Sequence, residues 1–321
     1  MKVDLAIKFG SHEIIIYQKG LGIIAKEPAS LAVTPHGKRR VVRAVGSDAL
    51  KMARENANIL VYEPIVNSEV VDEKLAIILI KKILQKNLIC KFNVNGIRAV
   101  VAIPCGLNVK QIATLKKVLH QAGVSRLKMV TNAECVREYD ETLDKLATCC
   151  VVDIGKYTTD ITILNKLSVI KGRDYYIGGL NMDEALKTYV QDNFNLEITV
   201  ADAQDLKCKL STLYENDSYS AEIIGINSEK QYETQKITAN EVRVAIKSVY
   251  DKICELILEY VNSLKKEQVA EVYYNGVIFS GGACNIQGLY EYASDKLKMP
   301  IVILEDPVNA VVLGAAKMLN K

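Results

Sequence analysis

Apolar positions along the chain fall into short runs with two spacings. Residues 4–17, DLAIKFGSHEIIIY, hold two extended runs on either side of Gly10-Ser11, which predicts a strand, a tight turn and a returning strand. VVRAV (41–45) predicts another strand and GSDALKMARENA a short helix. VDEKLAIILIKKILQKNL (71–88) has helical spacing and a lysine-rich polar face. IRAVVAIP (97–104) reads as a buried strand ended by proline, NVKQIATLKKVLHQAG (108–123) as a helix stopped by Gly123, LKMVTN as a strand and ECVREYDETLDK as a helix. The pattern then partly repeats. Strands over 151–163 and 168–177 lead into a helix at 182–194, and mixed segments fill 200–237. Residues 238–268 read as one long helix capped by Thr238 or Asn240. A strand at 275–282, a helix after it, a strand at 301–304 and a last helix with Pro307 in its first turn close the chain.

Alternation of strands and helices predicts an α/β fold with covered sheets. Hairpins at 4–17 and 151–163 each open one half, so two related lobes with a cleft between them are expected. No Gly/Ser/Pro-rich linker separates them.

Composition narrows the function classes. A chain of 321 residues is long enough for a large core without a disulfide or metal staple. A net charge of +3 is too mild to imply nucleic acid. The first residues lack the pattern of a secretory signal, and LAIILIKKIL, the longest apolar run, is interrupted by Lys81 and Lys82. Eight cysteines include no CxxC pair, and there are three histidines, so no metal site is assigned. A cytoplasmic location is the expectation.

Three glycine turns carry the candidate chemistry. VVDIGKYTTD (151–160) has the shape of a phosphate hairpin, in which glycine admits backbone N–H groups to the oxygens and threonine adds a hydroxyl. The hairpin turn at Gly10-Ser11 comes before it in the chain, and FSGGACNIQGL (279–289) turns from a strand into a helix. In this set and order the chain resembles the superfamily of actin, the Hsp70 chaperones and sugar kinases, and within it the bacterial actins of the MreB family. LGIIAKEPASLAV (21–33), VVAIPCGLNVKQIATLKKVLHQAG (100–123), IGGLNMDEAL (177–186) and IVILEDPVNAVVLGAAKML (301–319) extend the likeness along the chain.

The resemblance implies an actin-like two-lobed fold around a nucleotide cleft. Residues 1–31, 71–145 and 307–321 would form the first core and 32–70 its outer part. Residues 146–183 and 238–306 would form the second core and 184–237 its outer part. ATP or ADP with Mg²⁺ is the implied cofactor. Gly10 and Ser11 take the first phosphate turn; Asp153, Gly155, Thr158 and Thr159 take the second. Gly178 and Gly179 would approach the sugar-phosphate, Lys207 the adenosine, and Gly281, Gly282 and Ala283 the base. The implied partners are further copies or other MreB-like subunits in a filament, at the inner face of the cell membrane.

Four departures bear on that chemistry. The family's first turn reads Asp-(Leu/Ile)-Gly-Thr, and here Lys8 replaces the Asp that orients Mg²⁺ waters. Lys156 and Tyr157 replace two glycines of the second turn, with strain if either position needs a positive φ. Asn132 stands where the family has the Glu that positions the attacking water, and Leu180 replaces an Asp. Phosphoryl transfer depends on positioning and charge neutralisation, so slow or absent hydrolysis is expected. Lys8 supplies charge in place of the metal or pairs with Glu13; Tyr157 plugs the γ-phosphate space or packs in the core; Asp160 reads as a solvated or turn-capping acid. Leu88, Ile89 and Phe92, beside Lys86 and Lys91, either touch lipid or pack beneath the helix. PHGKRRVVR (35–43) reads as a solvated basic turn or a polymer contact. A competent ATPase with a rearranged site is the enzymatic rival, and a nucleotide-independent pseudo-ATPase scaffold that modulates another MreB-like filament is the other alternative. A chaperone would need a peptide-binding domain not seen in this stretch.

Overall fold

The computed structural model describes residues 3–10, 12–36, 39–67, 69–88, 96–166, 168–215 and 217–320. The chain divides into two compact units, Met1–Asp144 with Asn309–Lys321, and Lys145–Val308.

Each unit is built on a five-stranded sheet of the same topology. In the first, Val3–Phe9, Glu13–Gln18 and Gly22–Pro28 form an antiparallel meander, and Ile97–Ile103 and Val124–Thr131 add in parallel beside Val3–Phe9. In the second, Thr148–Ile154, Thr159–Asn165 and Val169–Tyr175 form the meander, and Val277–Ser280 and Ile301–Ile303 add in parallel beside Thr148–Ile154. The central strands are covered on both faces, which is why they read as continuous apolar runs; all seven residues of Thr148–Ile154 are buried. Each unit also carries a three-stranded sheet, Leu31–His36 between Arg39–Val45 and Leu60–Tyr62 in the first, and Leu196–Glu197, Ser220–Asn227 and Tyr232–Thr238 in the second.

Helices Glu73–Asn87 and Val109–Gln121 pack over the first sheet, joining Leu79, Ile83, Leu115 and Leu119 to Leu5 and Ile7. In the second unit Gly179–Phe194 and Ala239–Asn262 do the same, with Leu186, Ile246 and Ile253 against Val152, Ile154 and Ile161. Reciprocal Thr/acid caps fix helix starts at Thr131/Glu134, Thr199/Asp202 and Thr238/Glu241. Thr238, not Asn240, is thus the cap of the long helix.

Three local expectations change. The long helix stops at Asn262 and a second, Lys266–Asn275, follows. Ser263 ends it by turning its hydroxyl back to Tyr260 O at 2.7 Å. Pro307 precedes the last helix, which starts at Ala310, and its carbonyl accepts the Gly281 N–H at 2.8 Å. The basic stretch 35–43 is not merely a solvated turn. Its described part is hairpin, with Arg40 lying 4.0 Å over the Tyr62 ring and Arg43 donating to Thr34 Oγ1.

Candidate functional site

The second unit's hairpin runs in register to Ile154↔Thr159, and the Gly155 N–H donates to Thr158 O at 2.9 Å. Gly155 to Thr158 form the turn. Neither Lys156 nor Tyr157 has a positive φ; the only non-glycine residues that do, among those described, are Asn67, Asn195, Lys230 and Lys298. The expected strain is therefore absent, and the turn accepts side chains at 156 and 157 with an ordinary backbone. Lys156 Nζ donates to Gln204 Oε1 at 3.1 Å and lies 5.8 Å from the Tyr157 ring centre. Tyr157 is half-buried in the turn.

Behind the turn, the strands line up polar side chains. Asp153 stands opposite Ser280 on one neighbour and Asp160 on the other. The Ser280 hydroxyl donates to Asp153 Oδ1 at 2.9 Å, and the Thr162 hydroxyl to Asp160 Oδ1 at 2.7 Å. Asp160 is buried, against the reading of a solvated acid, because strand alternation puts it on the same covered face as Asp153. Thr159 is fully buried and its hydroxyl donates to Ile177 O at 2.7 Å. That contact anchors the Gly-Gly loop and turns Thr159 away from a phosphate role.

The loop at 178–179 closes on the turn from the other side. A Cβ on Gly178 would lie 2.6 Å from Gly155 O and 2.9 Å from Lys156 O, so glycine is needed there for the backbones to meet. The first helical amides are engaged by that turn: Gly179 N–H donates to Gly155 O at 3.0 Å and Leu180 N–H to Lys156 O at 2.7 Å. Two of the amides that a helix start offers an anion are thus already in use. Lys207 Nζ pairs with Asp183 Oδ1 at 2.6 Å and donates to Gly179 O at 2.9 Å. Burial pushes the Asp183 carboxyl above its ordinary value, and Lys207 beside it pulls the other way. Gln204 and Lys207, three residues apart on one helix, reach the same corner. Sequence reasoning found Lys207 and missed Gln204 and Asp183; the i, i+3 spacing to Lys207 is a signal from which Gln204 could have been found.

The third turn is held from within. Gly281 has φ +96 and sits so close to Ile154 that a Cβ would overlap the Ile154 backbone. Gly282 has nothing within 4 Å of an added Cβ, and the Ala283 carbonyl accepts from the buried Tyr250 hydroxyl at 2.6 Å.

In the first unit, Gly10 N–H donates to Glu13 O at 3.2 Å, and a Cβ on Gly10 would lie 2.9 Å from that oxygen. Ser11 lies outside the described residues. Lys8 is half-buried on the strand before the turn. Burial raises the Glu13 carboxyl above its ordinary value, opposed by the charges of Lys26 and Lys8. Asn132 is buried at the first position of helix Asn132–Tyr139. The nearby Glu134 carboxylate accepts from both the Thr131 N–H and its hydroxyl at 2.8 Å, so this acid serves the cap. Among the described residues, no group of three or more His, Cys, Asp or Glu side chains is placed to hold a metal ion. Where the resemblance puts the Asp that orients Mg²⁺ waters, position 8 carries an ammonium, which cannot enter a hard cation's oxygen shell; Asn132 keeps an amide oxygen able to hydrogen-bond a water but is no base.

Leu88 is buried in the first unit's core and packs beneath the helix end, so it is not offered to lipid. Ile89 and Phe92 lie outside the described residues. No helix among the described residues is long and apolar enough to cross a membrane.

Two sheets of one topology, each headed by a glycine hairpin and flanked by further glycine turns, define an actin-like fold. The chain belongs to the MreB/Mbl protein family, whose model matches residues 2–321. Among curated relatives, the cell shape-determining protein Mbl of Bacillus subtilis is 24% identical, with 99% of this chain and 96% of the relative covered. The cell shape-determining protein MreB of Escherichia coli K12 is 25% identical, with 99% and 93% covered. Among solved structures, MreB5 of Spiroplasma citri bound to ADP superposes with a TM-score of 0.88 at 22% identity, covering 99% and 96% of the two chains. A MamK double helical filament gives 0.83 at 20% identity, covering 100% and 99%.

Proposed function

We propose that this chain is a cytoskeletal subunit of the MreB type. It assembles with its own copies or with other MreB-like subunits and contributes to cell shape. It binds ATP or ADP weakly and hydrolyses it slowly or not at all. The relatives are named for cell-shape determination, a structural neighbour is crystallised with ADP and another is a filament. The observation that carries the nucleotide part is the second turn, where Lys156 and Tyr157 occupy an unstrained hairpin and Lys156 reaches Gln204. In the first unit, Lys8 stands where the family has the Asp that orients Mg²⁺ waters. A cytoplasmic site of action follows from that role; peripheral membrane contact rests on Ile89 and Phe92.

Calorimetric titration with ATP and ADP, with and without Mg²⁺, tests the nucleotide reading. Weak binding that ignores Mg²⁺, with no steady phosphate release, is the expected result. Tight Mg²⁺-dependent binding with turnover abolished by Asp153→Ala would replace it with the competent-ATPase reading. That reading has one observation in its favour: Asp153 is retained, buried and oriented by Ser280.

A further inference from the structure

The outer edge of the second unit's five-stranded sheet is the strand Val169–Tyr175, which pairs on one side only, with Thr159–Asn165. Side chains two apart on a strand share a face, so Lys171, Arg173 and Tyr175 stand together. Across from them lies the C-terminal end of helix Ala239–Asn262, and a cavity of about 350 Å³ opens between the two elements. Small-molecule sites run from about 300 to 1,000 Å³.

The floor of this cavity is aromatic. The buried Tyr260 ring meets the Tyr175 ring edge to face, with centres 6.4 Å apart. One wall is cationic. Lys171 lies 4.8 Å from the Tyr260 ring centre and donates to Ser263 Oγ at 2.9 Å, so its ammonium is held in place. Arg173 is exposed, lies 5.1 Å from the Tyr175 ring centre, and makes no ion pair or hydrogen bond through its side chain among the described residues. Its fork of N–H donors is therefore open to solvent. The helix side adds one acid, Glu259.

These groups select by shape and charge. A planar guanidinium fork matches a carboxylate. Arg173 and Lys171 sit roughly 7 Å apart along the strand, close enough for both to reach one such group. Two cations against one acid favour a ligand with a single negative charge over a polyanion. Tyrosine rings take a flat apolar body.

We propose that this cavity binds a small aromatic monocarboxylate, its carboxylate held by Arg173 and Lys171 and its ring laid against Tyr175 and Tyr260. None of these residues belongs to the glycine turns, and failure of the nucleotide reading would leave this site untouched.

The test is calorimetry and tyrosine-ring NMR on the full chain, with benzoate, benzyl alcohol and inorganic phosphate as probes. Benzoate should bind with a Kd of about 1 mM and shift the ring signals of Tyr175 and Tyr260. Arg173→Ala should weaken it about tenfold, and Arg173→Lys about threefold, because the ammonium keeps the charge but loses the fork. Both variants change an exposed side chain, so unchanged melts will separate a lost contact from a lost fold. Benzyl alcohol, alike in size but neutral, should bind at least about tenfold more weakly than benzoate. No ring shifts at about 20 mM benzoate, an Arg173→Ala protein that binds like wild type, or benzyl alcohol bound as tightly as benzoate would overturn the proposal. Phosphate bound as tightly as benzoate would overturn it too, and leave only a general anion contact.

Discussion

Lys207 and Asp183 form an ion pair of 2.6 Å in which the carboxylate is 1% exposed and the lysine 16%. The pair ties the start of helix Gly179–Phe194 to helix Val200–Leu210. Truncating Asp183 to alanine strands the ammonium in a poorly hydrated corner. The expected loss is about 3–5 kcal/mol, read as a lower urea midpoint. The double variant Asp183→Leu/Lys207→Met should regain most of it. A single variant as stable as wild type would show that the ammonium finds water.

Gly281 and Gly282 make a matched pair of tests. Alanine at 281 meets the Ile154 backbone and a left-handed φ of +96, and should destabilise by about 1–3 kcal/mol or more. Alanine at 282 enters open space, and should change stability by less than about 0.5 kcal/mol. Thermal melts check both. A loss of ADP affinity in Gly282→Ala with an unchanged melt would then report ligand approach at this turn.

The turn at 156–157 can be reversed toward glycine. Because neither residue uses a positive φ, Lys156→Gly/Tyr157→Gly should fold, at a cost of about 1 kcal/mol per residue or less. If Lys156 and Tyr157 screen the phosphate space, the variant binds ADP more tightly by calorimetry. Unchanged affinity with an intact melt would place the obstruction elsewhere.

Two carboxyls of the first unit predict opposite pH responses. Burial works against the charge of Glu27, but hydrogen bonds from Ser47 and Lys86 outweigh it and hold the carboxyl below its ordinary 4.5. Its contribution is present above 4.5 and lost as pH falls through the lowered value. Glu13 is raised by burial, so its contribution is full below 4.5 and lost as pH rises through the raised value. Glu27→Gln should therefore flatten the acid side of the stability profile, and Glu13→Gln the loss on rising pH. Lys8→Ala should push Glu13 higher still, visible as a shifted carboxyl titration by NMR.

Most of the architecture was legible because periodicity records burial. The apolar runs at 97–103 and 148–154 are strands covered on both faces, and the lysine stripe on 73–87 is the outward face of a helix. The break after Asn262 was not legible, since Ser263 stops the helix through a hydroxyl contact that leaves helical spacing intact. At the site, residue type showed where glycines cluster but not why. Gly178 and Gly281 answer to neighbouring backbone, and Thr159 to Ile177, which are contacts between segments distant in the chain.

The hairpin at 155–158 sits at the head of a strand whose folding is secured by the core beneath it. Its own backbone asks nothing special of the residues at 156 and 157. Mutations there are consequently cheap to keep. A lineage can trial new side chains at those two positions while the sheet, its caps and its packing go unrevised. The scaffold outlives any particular chemistry at its tip, and a bare loop and a Lys-Tyr loop become neighbouring points on one evolutionary path.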